Sequence, residues 1–156
     1  GNFNTSDNGY HYSWTWDNIH FVNLNLYPGA EGTPAQNSLG FLASDLAKNV
    51  RASGRAVVLY FHYDFIRENF WEPEEKDAFY DVVKDYNIIA IIHGHRHLTN
   101  LESSTWNGIN VFNVAMRSTG KFTIFRIRKN HLLAAECTSV TTWGRIFTKN
   151  IVTYSN

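Results

Sequence analysis

The sequence predicts an α/β fold in which a parallel β-α-β-α-β portion is followed by antiparallel strands. Two unbroken apolar runs, residues 57–61 and 88–92, are typical of strands that are buried on both faces. A helical pattern precedes each run, and this order favours right-handed crossovers between parallel strands. After Asn100 the helical periods give way to short strand-like segments separated by turn residues.

The first elements are a hairpin and an amphipathic helix. Two strand-like runs, 10–16 and 19–26, flank Asp17-Asn18, a pair of residues that predicts a turn. Residues 38–51 then predict a helix, because their apolar side chains recur at helical spacing. These side chains are Leu39, Leu42, Ala43, Leu46 and Val50.

A second helix lies between the two apolar strands. It is expected to begin near Pro73, because proline suits a first helical turn and Glu74 and Glu75 lie beside the positive end of the helix dipole. Its apolar stripe consists of Phe79, Val82, Val83 and Tyr86. The intervening helices imply that 57–61 and 88–92 are neighbours in one parallel sheet.

The last third of the sequence predicts antiparallel strands. Asn107-Gly108, a strong signal for a two-residue hairpin, separates a predicted strand on either side. A second strand pair and one final strand follow. The five predicted strands are 101–106, 109–114, 122–128, 132–138 and 146–154.

Composition limits the possible functions. The chain has 156 residues, with 14 basic and 14 acidic side chains, so it lacks the cationic excess that nucleic-acid binding requires. No apolar stretch approaches the roughly twenty residues that span a bilayer, so no membrane segment is expected. Residues 1–9 are small and polar and are expected to form a flexible tail, which leaves 10–156 as the folded part.

Four of the seven histidines lie just beyond the two buried strands. His62 follows 57–61, and His93, His95 and His97 follow 88–92. The carboxyl ends of parallel strands open into a crevice, so these side chains are expected to meet there. Imidazole suits Zn, Fe, Mn or Cu, and in an extended chain the three alternating histidines would point to one side. The alternative is a set of ordinary surface imidazoles in a polar loop.

These histidines carry a resemblance to a known family. Gly94-His95-Arg96-His97 after an apolar strand, with a helix and a strand ending in His62 before it, resembles the last two metal-binding motifs of calcineurin-like metallophosphoesterases. Residues 12–21 are similar to the hairpin that precedes those motifs, and the resemblance extends to about Val114. It implies half of the four-layer α/β/β/α sandwich of that family, with 10–156 as the carboxyl-terminal portion of the domain.

The resemblance also implies roles for individual residues. His62 and His95 would bind one metal ion and His97 the other, in a complete domain that holds two divalent or trivalent ions (Zn, Mn or Fe). Arg96 is a candidate contact for a substrate phosphate, with a solvated loop cation as the alternative. His93 is expected to be a hydrogen-bonding residue that supports the site rather than a ligand.

The motifs that the family carries in the first half of its domain are missing here. Asp-x-His, Gly-Asp-x-x-Asp and Gly-Asn-His-Asp/Glu do not occur, and Gly1-Asn2-Phe3 has phenylalanine where the last motif requires histidine. The bridging aspartate, the asparagine ligand and the histidine that assists the leaving group therefore have no counterpart. No catalytic residue is assigned, and the chain alone is expected to be inactive or nearly so.

The leading hypothesis is metal-dependent hydrolysis of phosphate esters at a dinuclear site for which this chain supplies histidine ligands. The alternative is a non-catalytic binding module that keeps the phosphoesterase-like scaffold and recognises a partner or a glycan. A third hypothesis is a mononuclear three-histidine zinc site.

Trp14, Trp16 and Phe21 are interpreted as core residues rather than a sugar platform. Tyr63 and Asp64 are interpreted as loop residues, and the alternative for these two is a role at the mouth of the site.

The expected partners are a phosphate-ester substrate and further polypeptide. If the missing amino-terminal half normally supplies strands beside 57–61 and 88–92, this chain exposes apolar strand edges. Such edges would pair with that half, with a companion chain or with another copy.

Overall fold

The structure, a computed structural model, describes residues 3–64 and 71–152. Its α-helices are α1 (Leu39–Asn49) and α2 (Pro73–Val83), and a short 3-10 helix spans Arg117–Thr119. The strands of the larger sheet are β1 (Phe3–Thr5), β2 (Tyr12–Trp16), β3 (Ile19–Asn23), β4 (Ala56–Tyr60), β5 (Ile88–His93), β6 (Glu102–Trp106) and β7 (Ile109–Asn113). The smaller sheet contains β8 (Phe122–Arg128), β9 (His131–Cys137) and β10 (Trp143–Asn150).

The centre of the large sheet is parallel, as the β-α-β-α-β order predicts. Its strands lie in the order β1-β2-β3-β4-β5-β7-β6, and β3, β4, β5 and β7 are mutually parallel. Antiparallel pairs extend it on both sides, β1 and β2 at one side and β6 at the other. The smaller sheet is wholly antiparallel, in the order β10-β9-β8. The described residues therefore form a mixed α/β structure with two sheets.

The hairpin β6–β7 differs from its sequence prediction. It was expected in the antiparallel portion, but β7 pairs in parallel with β5 and belongs to the large sheet. Val111 and Phe112 are almost completely buried, whereas β6 carries Ser103 and Ser104 and forms the outer strand. Burial of the apolar strand therefore determines which arm of the hairpin lies beside β5.

This arrangement also changes the expected strand edges. β4 is flanked by β3 and β5, and β5 is flanked by β4 and β7, so both strands are interior. The prediction of exposed edges beside 57–61 and 88–92 is therefore wrong. The outermost strands of the described sheets are β1, β6, β8 and β10.

The predicted amino-terminal tail contains a strand. Phe3–Thr5 pairs with β2, the Phe3 ring stacks on Tyr12, and the Asn4 amide donates to Asp45 on α1 at 2.8 Å. These long-range contacts leave no local signal, which explains the difference from the prediction. Residues 1–2 of that tail, and the end of the last predicted strand at 153–154, lie outside the described residues.

Local signals placed the turns and helix starts correctly. Both residues of Asp17-Asn18 and of Asn107-Gly108 have positive φ (47° and 61°, 46° and 83°), the backbone that a tight two-residue hairpin requires. Pro73 is the first residue of α2, and Glu72 and Glu75 form a reciprocal capping box before it. No helix of the described residues is long and apolar enough to cross a membrane.

The large sheet is apolar on both faces. One face packs against α1 and α2 through a cluster that includes Leu46, Leu59, Phe79 and Ile91. The other face packs against the smaller sheet, where Val58, Ala90 and Phe112 meet Leu132 and Ala134 of β9. These two cores fix β4 and β5 firmly, so the loops that follow them start from defined positions.

Candidate functional site

The candidate site lies at the carboxyl ends of β4 and β5. The backbone N–H of His62 donates to the carbonyls of Asn25 and Leu26, and its own carbonyl accepts from Gly94 N–H at 3.1 Å. These bonds tie the loop after β4 to the loops after β3 and β5. The strand ends thus hold the two histidine segments side by side.

His62 and His95 are in direct contact. His95 Nδ1 lies 3.1 Å from His62 Nε2, and the two rings are nearly perpendicular at a centroid distance of 5.0 Å. Tyr63 packs edge-on against the His95 ring at 4.5 Å. The ring of His97 lies farther out, 6.5 Å from that of His95. The structure therefore brings two of the three predicted ligands into contact and leaves the third next to them.

The loop after β5 is not extended. His95 and His97 have φ values of 68° and 49°, a left-handed backbone that costs energy for any residue except glycine. His93 is the last residue of β5, is 3% exposed, and stacks on Phe61 at a centroid distance of 6.1 Å. All three histidines would point to one side only in an extended chain. The left-handed turns redirect the backbone, so this condition is not met.

The surroundings of His62 favour its neutral form. Partial desolvation lowers the pKa of His62, and the neighbouring imidazoles of His95 and His97 lower it further, because a second positive charge beside them is unfavourable. A neutral ring keeps one nitrogen lone pair for a metal ion or a hydrogen-bond donor. At pH 7 His62 is thus in the form that binds metal.

The spacing of two imidazole nitrogens fits a shared metal ion. With metal–nitrogen distances of about 2.0–2.1 Å, two nitrogens on one ion lie roughly 2.9–3.4 Å apart. His62 Nε2 and His95 Nδ1 lie within this range at 3.1 Å, where they form a hydrogen bond that a bound ion would replace. Within 3–64 and 71–152, however, no group of three or more His, Cys, Asp or Glu side chains is arranged to hold an ion. The fit is therefore that of a two-histidine portion of a site.

Asp64 forms a buried polar cluster beneath these histidines. Its carboxylate, on a residue 2% exposed, lies 3.9 Å from His93 Nε2 and 3.7 Å from Arg96 Nε. It also accepts from the Asn113 amide at 3.3 Å. Sequence reasoning favoured a plain loop role for Asp64, because its partners lie in two segments, 93–96 and β7, that are distant from it in the sequence.

Arg96 turns back toward the protein. Its guanidinium lies near Asp64 and 3.4 Å from the Glu102 carboxylate, and its side chain is 27% exposed. Two carboxylates partly neutralise its charge, which weakens its attraction for an external anion. The same contacts fix the loop that carries His95 and His97.

The other three histidines of the sequence lie outside this histidine cluster. His11 is buried with Nε2 at 3.0 Å from the Pro34 carbonyl, and burial lowers the pKa of His11. His20 is also buried and pairs with Asp45 on α1. His131 is the exposed first residue of β9.

Comparison with known proteins gives a similar fold. No protein-family model matches the sequence, and no curated protein matches it. Among solved structures, the chain is similar to GAP50, the anchor in the inner membrane complex of Plasmodium, with 12% sequence identity and a TM-score of 0.61. The match covers 93% of this chain and 54% of that one, so this chain spans about half the length of that protein.

Two crystal structures of Vps29 variants from Entamoeba histolytica, a protein of calcineurin-like metallophosphoesterase fold, also match. Their identities are 14% and 12%, over 83% of this chain in both cases and over 98% and 96% of theirs. Their TM-scores of 0.35 and 0.28 are too low to define a common fold. The similarity to GAP50 at this low identity concerns the fold alone.

Proposed function

We propose that this chain supplies imidazole ligands to a metal-dependent site that hydrolyses phosphate esters. The observation that carries the proposal is the 3.1 Å separation of His62 Nε2 and His95 Nδ1 at the carboxyl ends of two adjacent parallel strands. Crevices at such strand ends are where open α/β sheets bind ligands. The nitrogen spacing and the neutral form favoured at His62 both suit a divalent cation.

His62 and His95 would hold one ion, and His97 is the candidate ligand for a second. Zinc, manganese and iron are the ions that suit imidazole donors. When bound, such ions neutralise the negative charge that develops on the phosphate oxygens. His62 and His95 lie in the loops that follow two adjacent strands, and the hydrogen bond from Gly94 N–H to the His62 carbonyl holds these loops side by side.

The loop that carries His95 and His97 is held by its own residues. Arg96 lies between the two histidines and contacts both Asp64 and Glu102, so its side chain anchors the loop to β6 and to the segment after β4. An anchored loop keeps the left-handed backbone at its histidines despite the local strain. Arg96 thereby acts as a positioning residue, and a substrate phosphate would have to compete with two carboxylates for it.

The remaining ligands would come from outside these 156 residues. A dinuclear site requires about seven or eight protein ligands, including carboxylates, and three imidazoles do not meet this requirement. We therefore expect the chain alone to bind metal weakly and to show little or no hydrolysis. A protein that also carries the residues encoded upstream of Gly1 is expected to be active.

Metal titration tests the proposal directly. We expect calorimetric titration of the chain with Zn²⁺ to give about one ion per chain, with at least about tenfold weaker binding in His62→Ala and in His95→Ala. His131→Ala is the matched control, because it removes an exposed imidazole outside the site. Equal affinity in wild type, both site variants and the control would refute the assignment. Hydrolysis of p-nitrophenyl phosphate by the upstream-extended protein, lost in His62→Ala, would then establish the reaction class.

A non-catalytic binding module is the second candidate. Its support is the absence, among the described residues, of a third acidic or imidazole group placed to complete a metal site, together with the inward position of Arg96. GAP50, which has a comparable fold, is itself described as an anchor, which is a binding role. A histidine-dependent zinc complex with no hydrolysis by the upstream-extended protein would favour this candidate over the enzyme.

A further inference from the structure

The side chain of Tyr63 lies against both histidines of the candidate site. Its ring centroid is 4.5 Å from that of His95, with the two ring planes nearly perpendicular at 89°. It is also 5.3 Å from the ring centroid of His62, at an interplanar angle of 57°. Because the rings of His62 and His95 are themselves 5.0 Å apart, the three rings form a closed triangle in which each contacts the other two.

Tyr63 is itself connected to the core of the protein. Its backbone N–H donates to the Leu26 carbonyl at 2.8 Å, and its ring centroid lies 6.0 Å from that of Tyr27. Tyr27 is buried and packs on Trp71 at a centroid distance of 4.8 Å. Both residues belong to the core between the large sheet and the helices, and Tyr63 packs against that core. A fixed core thus determines where the Tyr63 ring lies.

The loop that carries His95 is anchored mainly through other residues. Arg96 ties it to Asp64 and Glu102, which holds the main chain of the loop. These ion pairs do not determine the rotamer of the His95 side chain. A side chain that is ordered only when its ligand arrives lowers the affinity, because the lost rotamer freedom is subtracted from the free energy of binding.

The contact between Tyr63 and His95 favours one orientation of the imidazole. Perpendicular rings attract because the edge of one ring is positive and the face of the other is negative, and such pairs have centroid distances of about 4.5–7 Å. At 4.5 Å this pair is at the close end of that range. In the same orientation His95 Nδ1 lies 3.1 Å from His62 Nε2, the separation that suits a shared ion. Rotation of the His95 ring out of this orientation breaks both contacts.

We infer that Tyr63 is a positioning residue of the metal site, whose ring holds the His95 imidazole in the orientation in which Nδ1 faces His62 Nε2. The inference rests on the proposed function, because it assigns Tyr63 a role at the same pair of histidines. It adds that the geometry of the pair is set before an ion arrives and depends on an aromatic ring at position 63. The role requires the ring rather than the hydroxyl, since the contact with His95 is made between rings.

Zinc titration of three variants of the chain tests this role. Tyr63→Leu keeps an apolar side chain but removes the ring, and we expect Zn²⁺ to bind about fivefold more weakly, in line with the strength of an aromatic pair. Tyr63→Phe keeps the ring and is expected to bind Zn²⁺ within about twofold of wild type. Tyr80→Leu is the matched control, because Tyr80 is a half-buried tyrosine of α2 whose ring contacts Trp106 edge to face at 5.6 Å. It is expected to leave zinc binding unchanged.

A measurement without metal separates positioning from a general loss of structure. Scalar couplings across the χ1 bond of His95, measured by NMR on the metal-free chain, are expected to report one dominant rotamer in wild type and in Tyr63→Phe. In Tyr63→Leu they are expected to report averaging over rotamers. Thermal unfolding is expected to shift similarly in Tyr63→Leu and Tyr80→Leu, since each variant loses one contact between aromatic rings. Only the first of these two variants should change the His95 rotamer.

Three results would overturn the inference. They are wild-type zinc affinity in Tyr63→Leu, an unchanged His95 rotamer in that variant, and equal weakening of zinc binding by Tyr63→Leu and by either Tyr63→Phe or Tyr80→Leu. Failure of the proposed function has a different signature, because zinc binding would then be the same in wild type, His62→Ala and His95→Ala. Weaker binding in both histidine variants, together with wild-type binding in Tyr63→Leu, would remove the positioning role and leave the metal site in place.

Discussion

Two histidine-containing clusters on the same sheet differ in burial and in backbone strain. The first is His20 with Asp45, and the second is His62 with His95. His20 lies in a regular strand, 1% exposed, with Nε2 at 2.5 Å from Asp45 Oδ2 and Nδ1 at 2.9 Å from Thr15 Oγ1. His62 and His95 lie in loops at the strand ends and contact each other, and the backbone of His95 is left-handed. One cluster is buried and joined to a carboxylate, and the other is at the surface and strained.

The difference between the two clusters matches a difference between a stabilising role and a binding role. Asp45 accepts hydrogen bonds from Ser13, Asn4 and Asn49 as well as pairing with His20, so this network fixes β1, β2 and β3 to α1. Buried polar groups that are fully satisfied in this way stabilise one arrangement of a core. In the second cluster His95 has a strained left-handed backbone in a surface loop, and strain of this kind is concentrated at functional sites. This contrast indicates a structural role for the first cluster and supports the ligand-binding role proposed for the second.

The largest expected effect comes from breaking the buried network. Asp45→Ala removes the shared acceptor and leaves the buried side chains of His20 and Ser13 without it, so we expect the free energy of unfolding to fall by about 3 kcal/mol. Urea denaturation measures this change. Asp81→Ala is the control, because the Asp81 side chain is 69% exposed and pairs only at the surface with Lys84. A loss below about 1 kcal/mol for Asp45→Ala would show that the network is not what holds β1–β3 to α1.

The same carboxylate predicts a pH dependence. Burial alone would raise the pKa of Asp45, but hydrogen bonds from His20, Ser13 and Asn4 outweigh it and lower the pKa below the model-peptide value of 3.8. A lowered folded-state pKa stabilises the protein above about pH 4, and this contribution is lost as the pH falls through the folded-state value. The difference in unfolding free energy between wild type and Asp45→Asn is therefore expected to shrink from pH 6 toward pH 2. A difference that grows on acidification would contradict this assignment.

A smaller effect, of opposite sign, is expected at the surface cluster. Glycine adopts the 68° φ of His95 without strain, so His95→Gly is expected to stabilise the protein by about 1 kcal/mol while weakening zinc binding. Thermal unfolding and zinc titration of the same variant measure both quantities. His131→Gly, in the regular strand β9, is the control and is expected to destabilise by about 0.5–1 kcal/mol. Destabilisation by His95→Gly would mean that the ring contacts of His95 outweigh its backbone strain.

The parts of the fold that local signals encode were predicted correctly. Asp17-Asn18 and Asn107-Gly108 form the expected turns, and Pro73 with Glu75 begins α2, because turn chemistry and capping act over a few residues. The proximity of His62 and His95 was predicted correctly, because strand order places both at the same sheet edge, and their role as ligands stays a prediction. The roles of Asp45 and Asp64 were not predicted, because each is defined by partners far away in the sequence.

The sequence by itself determined the alternation of strands and helices, the parallel centre of the sheet and the strand ends at which histidines collect. These features follow from apolar periodicity and from the handedness of crossovers, which are properties of short segments. Tertiary structure alone decided that β7 lies beside β5, that Phe3–Thr5 joins the sheet and that Arg96 turns inward. Each of these features depends on which distant segments pack against one another. That packing minimises the exposed apolar area of the whole chain rather than of any one segment.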